Sequence, residues 1–161
     1  MACEDEATFG LIPLVARGWA KKGSKPVVTI NHQHKFTNVF GARTKKDFVF
    51  CFSKRKKQRD FIRFAEKMLK RWKRILLFVD SGPCHKGKLV QAFLEKNYHR
   101  FRLKKFLTYT PELNPVEQCW KPARKTLADR LLKTLPAAKY HLQKTFNNKK
   151  NLPKMFTYLS D

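Results

Sequence analysis

Apolar and polar positions divide this chain into short aromatic and β-branched runs, followed by helical stripes that alternate with apolar runs. Residues 26–30 (PVVTI), 36–40 (FTNVF) and 47–52 (DFVFCF) have the composition of strands. Short connections at 31–35 and 41–46, the latter with Gly41 as its turn residue, predict an antiparallel meander. The basic run KRKKQR (54–59) follows as a loop. In 60–73, Phe61, Phe64, Ala65, Met68 and Trp72 recur at three and four residues, the spacing of a helix face, with Asp60 as N-cap. ILLFVD (75–80) is apolar without alternation until its last residue, which suits a central strand covered on both sides. A loop at 81–87, punctuated by Gly82 and Pro83, leads to a helix over 88–96. A strand is expected within 101–109. A turn at 110–117 then enters a helix with the stripe Val116, Trp120, Ala123 and Leu127. Residues 131–146 read as helical, interrupted or kinked at Pro136. The order β-β-β-α-β-α-β-α predicts an α/β fold: a mixed sheet with helices packed on it.

Length and charge narrow the function. A chain of 161 residues suits one domain, here 1–161 with 131–161 as a C-terminal helical extension. The formal net charge is 36 − 12 = +24. So much charge of one sign opposes compaction unless a polyanion relieves it. Nucleic acid is the first candidate partner and an anionic membrane surface the second. No run approaches the about 18 apolar residues of a membrane span, so no membrane insertion is expected. The best phosphate contacts are Lys54, Arg55, Lys56, Lys57 and Arg59 in the basic run. Lys67, Lys70, Arg71, Lys73 and Arg74 on the following helix join them. Contacts of this kind supply affinity rather than sequence readout. Trp19, set among basic residues, could stack on a base or pack in the core, and packing is the expectation. Cys3, Cys51, Cys84 and Cys119 are widely spaced, with no zinc-finger pattern. Reduced thiols follow. The N-terminus lacks a secretion signal, which places the protein in the cytoplasm or nucleoid of a prokaryote or the nucleus of a eukaryote.

Three acidic positions carry the candidate chemistry. Asp80 ends an apolar strand, where open α/β sheets present side chains to ligands; capping of the following loop is the other reading. Glu117 lies in NPVE (114–117), which also fits a capping box with Asn114 at N-cap and Pro115 at N1. Asp5 stands between Glu4 and Glu6. Such a cluster can neutralise a basic neighbour or wall a cation site. Like charges raise one another's pKa unless a cation intervenes. Carboxylates from distant segments suit Mg²⁺ and a two-metal phosphodiester-cleaving site. His85, five positions after Asp80, can bind a phosphate or orient a carboxylate. His32 and His34 have no ligand partners at metal spacing.

Three stretches, DEATFGLIPLVARGWAKKG (5–23), ILLFVDSGPCHKGKLV (75–90) and YTPELNPVEQCWKPARKTL (109–127), together resemble the DDE catalytic domain of Tc1/mariner and IS630-type transposases. The resemblance implies a ribonuclease H-like fold. It makes Asp5, Asp80 and Glu117 the ligands of Mg²⁺ or Mn²⁺, with His85 and Asn114 beside them. Glu117 follows Asp80 by 117 − 80 = 37 positions, near the family's spacing. The implied activity is metal-dependent cleavage at transposon ends and joining of the 3′ hydroxyl to target DNA, by an assembly such as a homodimer on DNA. Ser81 stands where the family has Asn. Family members carry an apolar strand before the first Asp, at the end of which Asp5 would sit. They also carry N-terminal helix-turn-helix domains. With four residues before Asp5, a shortened first strand is expected. The alternative is an inactive remnant that binds DNA through its basic surface. A third reading, an unrelated RNA- or ribosome-associated domain, predicts no convergence of carboxylates.

Overall fold

The structure, a computed structural model, describes residues 1–12, 19–25, 27, 29, 31–106, 114–128 and 130–151. Its centre is a five-stranded sheet of order β3-β2-β1-β4-β5. The strands are β1 (Ala2–Gly10), β2 (Phe36–Arg43), β3 (Phe48–Ser53), β4 (Ile75–Val79) and β5 (Phe101–Lys105). β1, β2 and β3 form an antiparallel meander. β4 joins β1 in parallel, and β5 joins β4 in parallel. Helices α1 (Gln58–Arg71) and α2 (Lys88–Lys96) cover one face, burying Phe61, Phe64, Met68, Val90 and Phe93 against Phe40, Leu77 and Val79. Helices α3 (Glu117–Leu127) and α4 (Leu135–Asn147) cover the other, where Trp120, Leu142 and Phe146 pack with Cys3, Phe9 and Val39. Alternate side chains of β1 therefore enter different cores, as the pleat requires.

The expected mixed α/β architecture is present, but its first strand is elsewhere. PVVTI was expected as a strand, yet residues 27 and 29 lie outside any strand, with Val27 92% exposed. The first meander strand is β1, and Asp5 sits in its middle rather than at its end. Eight residues of β1 pair with β2, whereas its pairing with β4 covers Ala2 and Cys3. Gly41 is no turn residue: it lies within β2, opposite Asp5.

Smaller departures have local causes. Asp60 is the third residue of α1 and accepts from the Lys57 N–H at 3.2 Å, so it caps from inside the helix. Pro136 sits in the first turn of α4, behind the N-cap Thr134, where its missing N–H is no loss; residues 131–134 are not helical. β5 ends at Lys105. Residues 107–109 of the expected strand lie outside the described residues, as do 110–113 of the expected turn and 152–161 of the C-terminal extension. Trp19 is fully exposed, contrary to the packing expectation.

Candidate active site

Past Cys3, β1 continues while β4 ends at Val79. This leaves a crevice at the carboxyl end of β4, the position where open α/β sheets bind ligands. Oxygens of Asp5, Glu6 and Asp80 meet there, all within 4.8 Å of one another.

Asp5 faces the α3 side. Trp120 Nε1–H donates to its Oδ2 at 2.6 Å. Burial raises Asp5 to about 7; the Trp120 hydrogen bond opposes that shift, and the negative charge of Glu117 adds to it. Glu117 is thus close enough to act on Asp5 electrostatically, although it joins no three-residue cluster at 4.8 Å among the described residues. Its position is set by Asn114. The Asn114 Nδ2 donates to the Glu4 carbonyl at 3.0 Å, and its Oδ1 accepts from the Val116 N–H at 3.1 Å. One side chain therefore braces the turn before α3 and ties it to β1, but it does not form the expected capping box: the N-cap is Val116, without a side-chain cap, and Glu117 is the first helical residue.

Asp80 is half-exposed and begins the loop to α2. Its Oδ1 accepts from the Gly82 N–H at 2.7 Å and faces His85 Nδ1 at 3.1 Å. These contacts, His85 foremost, hold the Asp80 carboxyl below its ordinary pKa.

The other face of β1 holds an unexpected cluster. Glu4 is fully buried, with Oε2 2.9 Å from His85 Nε2. Glu6 Oε1 lies 3.4 Å from the same nitrogen and accepts from the Cys84 thiol at 2.7 Å. The His85 ring, fully enclosed, stands edge-on to Phe61. Its contacts with Glu4 and Asp80 are at ion-pair distance but lack hydrogen-bond alignment. Burial alone would lower the His85 pKa, but Asp80, Cys84 and Glu4 raise it to about 12. Burial pushes Glu4 up to about 8 against the pull of His85. His85 is the proton carrier of the pair, because it faces three carboxylates.

The family profile of the DDE superfamily endonuclease matches residues 1–139. The chain belongs to this family. No curated protein matches it by sequence. Among solved structures, the Mos1 transposase paired-end complex with the left transposon end superposes with a TM-score of 0.71 at 16% identity, over 94% of this chain and 49% of that one. The catalytic domain of Mos1 mariner transposase gives 0.63 at 14% identity, over 94% and 72%. The catalytic core domain of BIV integrase gives 0.52 at 17% identity, over 70% and 76%. The fold is therefore ribonuclease H-like, and the chain spans about half the length of the Mos1 transposase in its DNA complex.

For this DDE endonuclease domain, Asp5, Glu6 and Asp80 offer the hard oxygen donors that Mg²⁺ or Mn²⁺ takes. Burial, with neighbouring carboxylates adding to it, raises Asp5 and Glu4, and a nearby cation would favour their charged forms. The donor set fits a divalent ion. Of the predicted site residues, Asp5 and Asp80 come together, with His85 against Asp80 and Asn114 against β1. Glu117 stands in the first turn of α3. Sequence reading had noted Glu4 and Glu6 without assigning them to the site.

The basic residues separate into two groups. Arg55, Lys56, Lys57 and Arg59 line a cavity of about 700 Å³ with Pro83 and Cys84, and Lys56 Nζ lies 3.5 Å from the Glu6 carbonyl. Lys54 is exposed beside them. Lys70, Arg71 and Arg74 stand at the far end of α1, about 20 Å away at 1.5 Å per residue. There Arg71 is occupied by Asp47 at 2.9 Å.

Proposed function

We propose that the chain is the catalytic domain of a Tc1/mariner-like transposase, cutting phosphodiester bonds at transposon ends and joining them to target DNA. The observation that carries this reading is the convergence of Asp5, Glu6 and Asp80 oxygens within 4.8 Å in a domain of the DDE family. Asp5 and Asp80 would hold Mg²⁺ or Mn²⁺, with Glu117 completing the set from α3. When bound, the ions supply Lewis acidity that activates water or a 3′ hydroxyl and stabilises the leaving oxygen.

The chain's own residues set the geometry. Trp120 fixes Asp5 Oδ2, leaving its other oxygen for a cation. Gly82 and His85 fix Asp80 Oδ1. Asn114 holds α3 at β1 and so limits how far Glu117 can drift. Lys56 and the cavity beside it would receive the DNA backbone next to the carboxylates. Attack on phosphorus would be in line, without a covalent protein intermediate. The domain would act as a homodimer on DNA.

Nicking of supercoiled plasmid in Mn²⁺ or Mg²⁺ at low salt tests this reading, with Asp80→Asn and Glu117→Gln beside the wild type. Metal-dependent nicking by the wild type is expected to fall at least a hundredfold in both variants. Equal DNA binding by all three proteins with cleavage by none would replace the enzyme with a DNA-binding remnant.

A further inference from the structure

Glu4 is fully buried, and its carboxylate has no aligned hydrogen bond. Burying an unpaired carboxylate is strongly unfavourable, so its partner must matter. That partner is His85, 2.9 Å away through Nε2. The opposite nitrogen, Nδ1, lies 3.1 Å from Asp80 Oδ1. The imidazole thus bridges a carboxylate sealed in the core and one that is 56% exposed in the crevice.

The loop after β4 is shaped for this bridge. A Cβ at Gly82 would meet Asp80 Oδ1 at 2.8 Å and His85 Nδ1 at 3.4 Å, so glycine leaves room for both. The Gly82 N–H and His85 address the same oxygen, Oδ1. Oδ2 is therefore the oxygen that the loop leaves for the crevice. Phe61 stands edge-on to the His85 ring at 4.7 Å between centroids and restricts its rotation.

The geometry points to Glu4 as a positioning residue for the metal site: it holds the His85 ring, and through it the orientation of Asp80. The role rests on the proposed metal-dependent reading. Glu4 acts at a distance, with no contact to a cation required. Partners that orient metal ligands from behind typically contribute 10–100-fold to metal affinity or activity.

The test is Mn²⁺ binding by the full chain, followed by the electron paramagnetic resonance of free Mn²⁺. The variants are Glu4→Gln, His85→Gln and the double variant, each checked for folding by circular dichroism. His85→Gln retains a donor toward Glu4 and loses the one facing Asp80. Glu4→Gln retains shape and loses charge. Each single variant is expected to weaken Mn²⁺ binding roughly 10-fold. The double variant should weaken it no further, because residues acting through one contact are not additive. Wild-type affinity in the folded single variants, or additive weakening in the double, would overturn the role while the metal reading stands. Failure of the wild type to bind Mn²⁺ would overturn both.

Discussion

Any residue other than glycine at position 41 would place a Cβ 2.5 Å from Trp120 Cη2 and 3.0 Å from Phe48 Cζ. Gly41 lies directly across from Asp5 in the β1–β2 register. The gap it leaves is what lets the Trp120 indole lie on the sheet, ringed by Phe9, Phe48 and Phe146, with Nε1 against Asp5. Gly41→Ala must push the indole away or distort β2. Overpacking of this kind costs about 1–3 kcal/mol. Urea denaturation should register that loss. Unchanged stability would mean that the ring slides without resistance, and that Asp5 is oriented by other contacts. Trp120→Phe separates the two effects: it keeps most of the buried surface and removes the donor to Asp5.

Elements in this fold are held by a few polar clamps as well as by their apolar faces. Asp47, just before β3, accepts from Arg71 Nε at 2.9 Å and from Trp72 Nε1 at 2.9 Å, pinning the C-terminal end of α1 to the sheet edge. Burial alone would raise Asp47, but the Arg71 and Trp72 hydrogen bonds outweigh it and leave its pKa lowered. A carboxylate lowered in the folded state stabilises above its unfolded pKa of about 3.9, and that contribution is lost as pH falls through the folded value. Asp47→Asn should therefore reduce stability by about 0.5–1.5 kcal/mol at pH 7, the range of a partly exposed hydrogen-bonded pair. The difference from wild type should narrow progressively as the pH is lowered from 7 toward the folded value. A gap that does not narrow with falling pH would assign the effect to packing instead of charge.

Elements were legible in the sequence where burial and periodicity agree. The continuous run at 75–79 and the stripe Phe61–Phe64–Met68 suit a covered strand and a one-faced helix, and the structure has them so. β1 was hidden because its centre, Glu4–Asp5–Glu6, looks like solvated charge, whereas PVVTI has strand composition although its described residues, 27 and 29, lie outside any strand. Composition cannot reveal pairing. Asp80 and Glu117 stood out by their places after a strand and in a helix start. Glu4 had a weaker signal: on a strand it shares a face with Glu6 and is opposite to Asp5, so a second acidic cluster facing a core required a cation. His85, five residues beyond Asp80, supplies it.

At the scale of the whole molecule, the charge of +24 is unevenly useful. The cavity formed by Arg55, Lys56, Lys57 and Arg59 adjoins the carboxylates, whereas Lys70, Arg71 and Arg74 lie at the other end of α1. If DNA enters at the crevice, neutralising a phosphate near Lys56 should count toward binding, and charge near Arg71 should count less. Each phosphate neutralised contributes a slope of about 0.9 in log K against log salt. The Lys56→Ala/Arg59→Ala double variant should lower that slope by about 2 and slow cleavage. The Lys70→Ala/Arg74→Ala variant has the same change in net charge and should lower the slope by less than 1. Comparing the two at equal net charge separates local contact from the general field of a basic protein. Equal losses in both would mean that DNA reads the overall charge, and that the cavity beside the carboxylates does not select where the backbone lies.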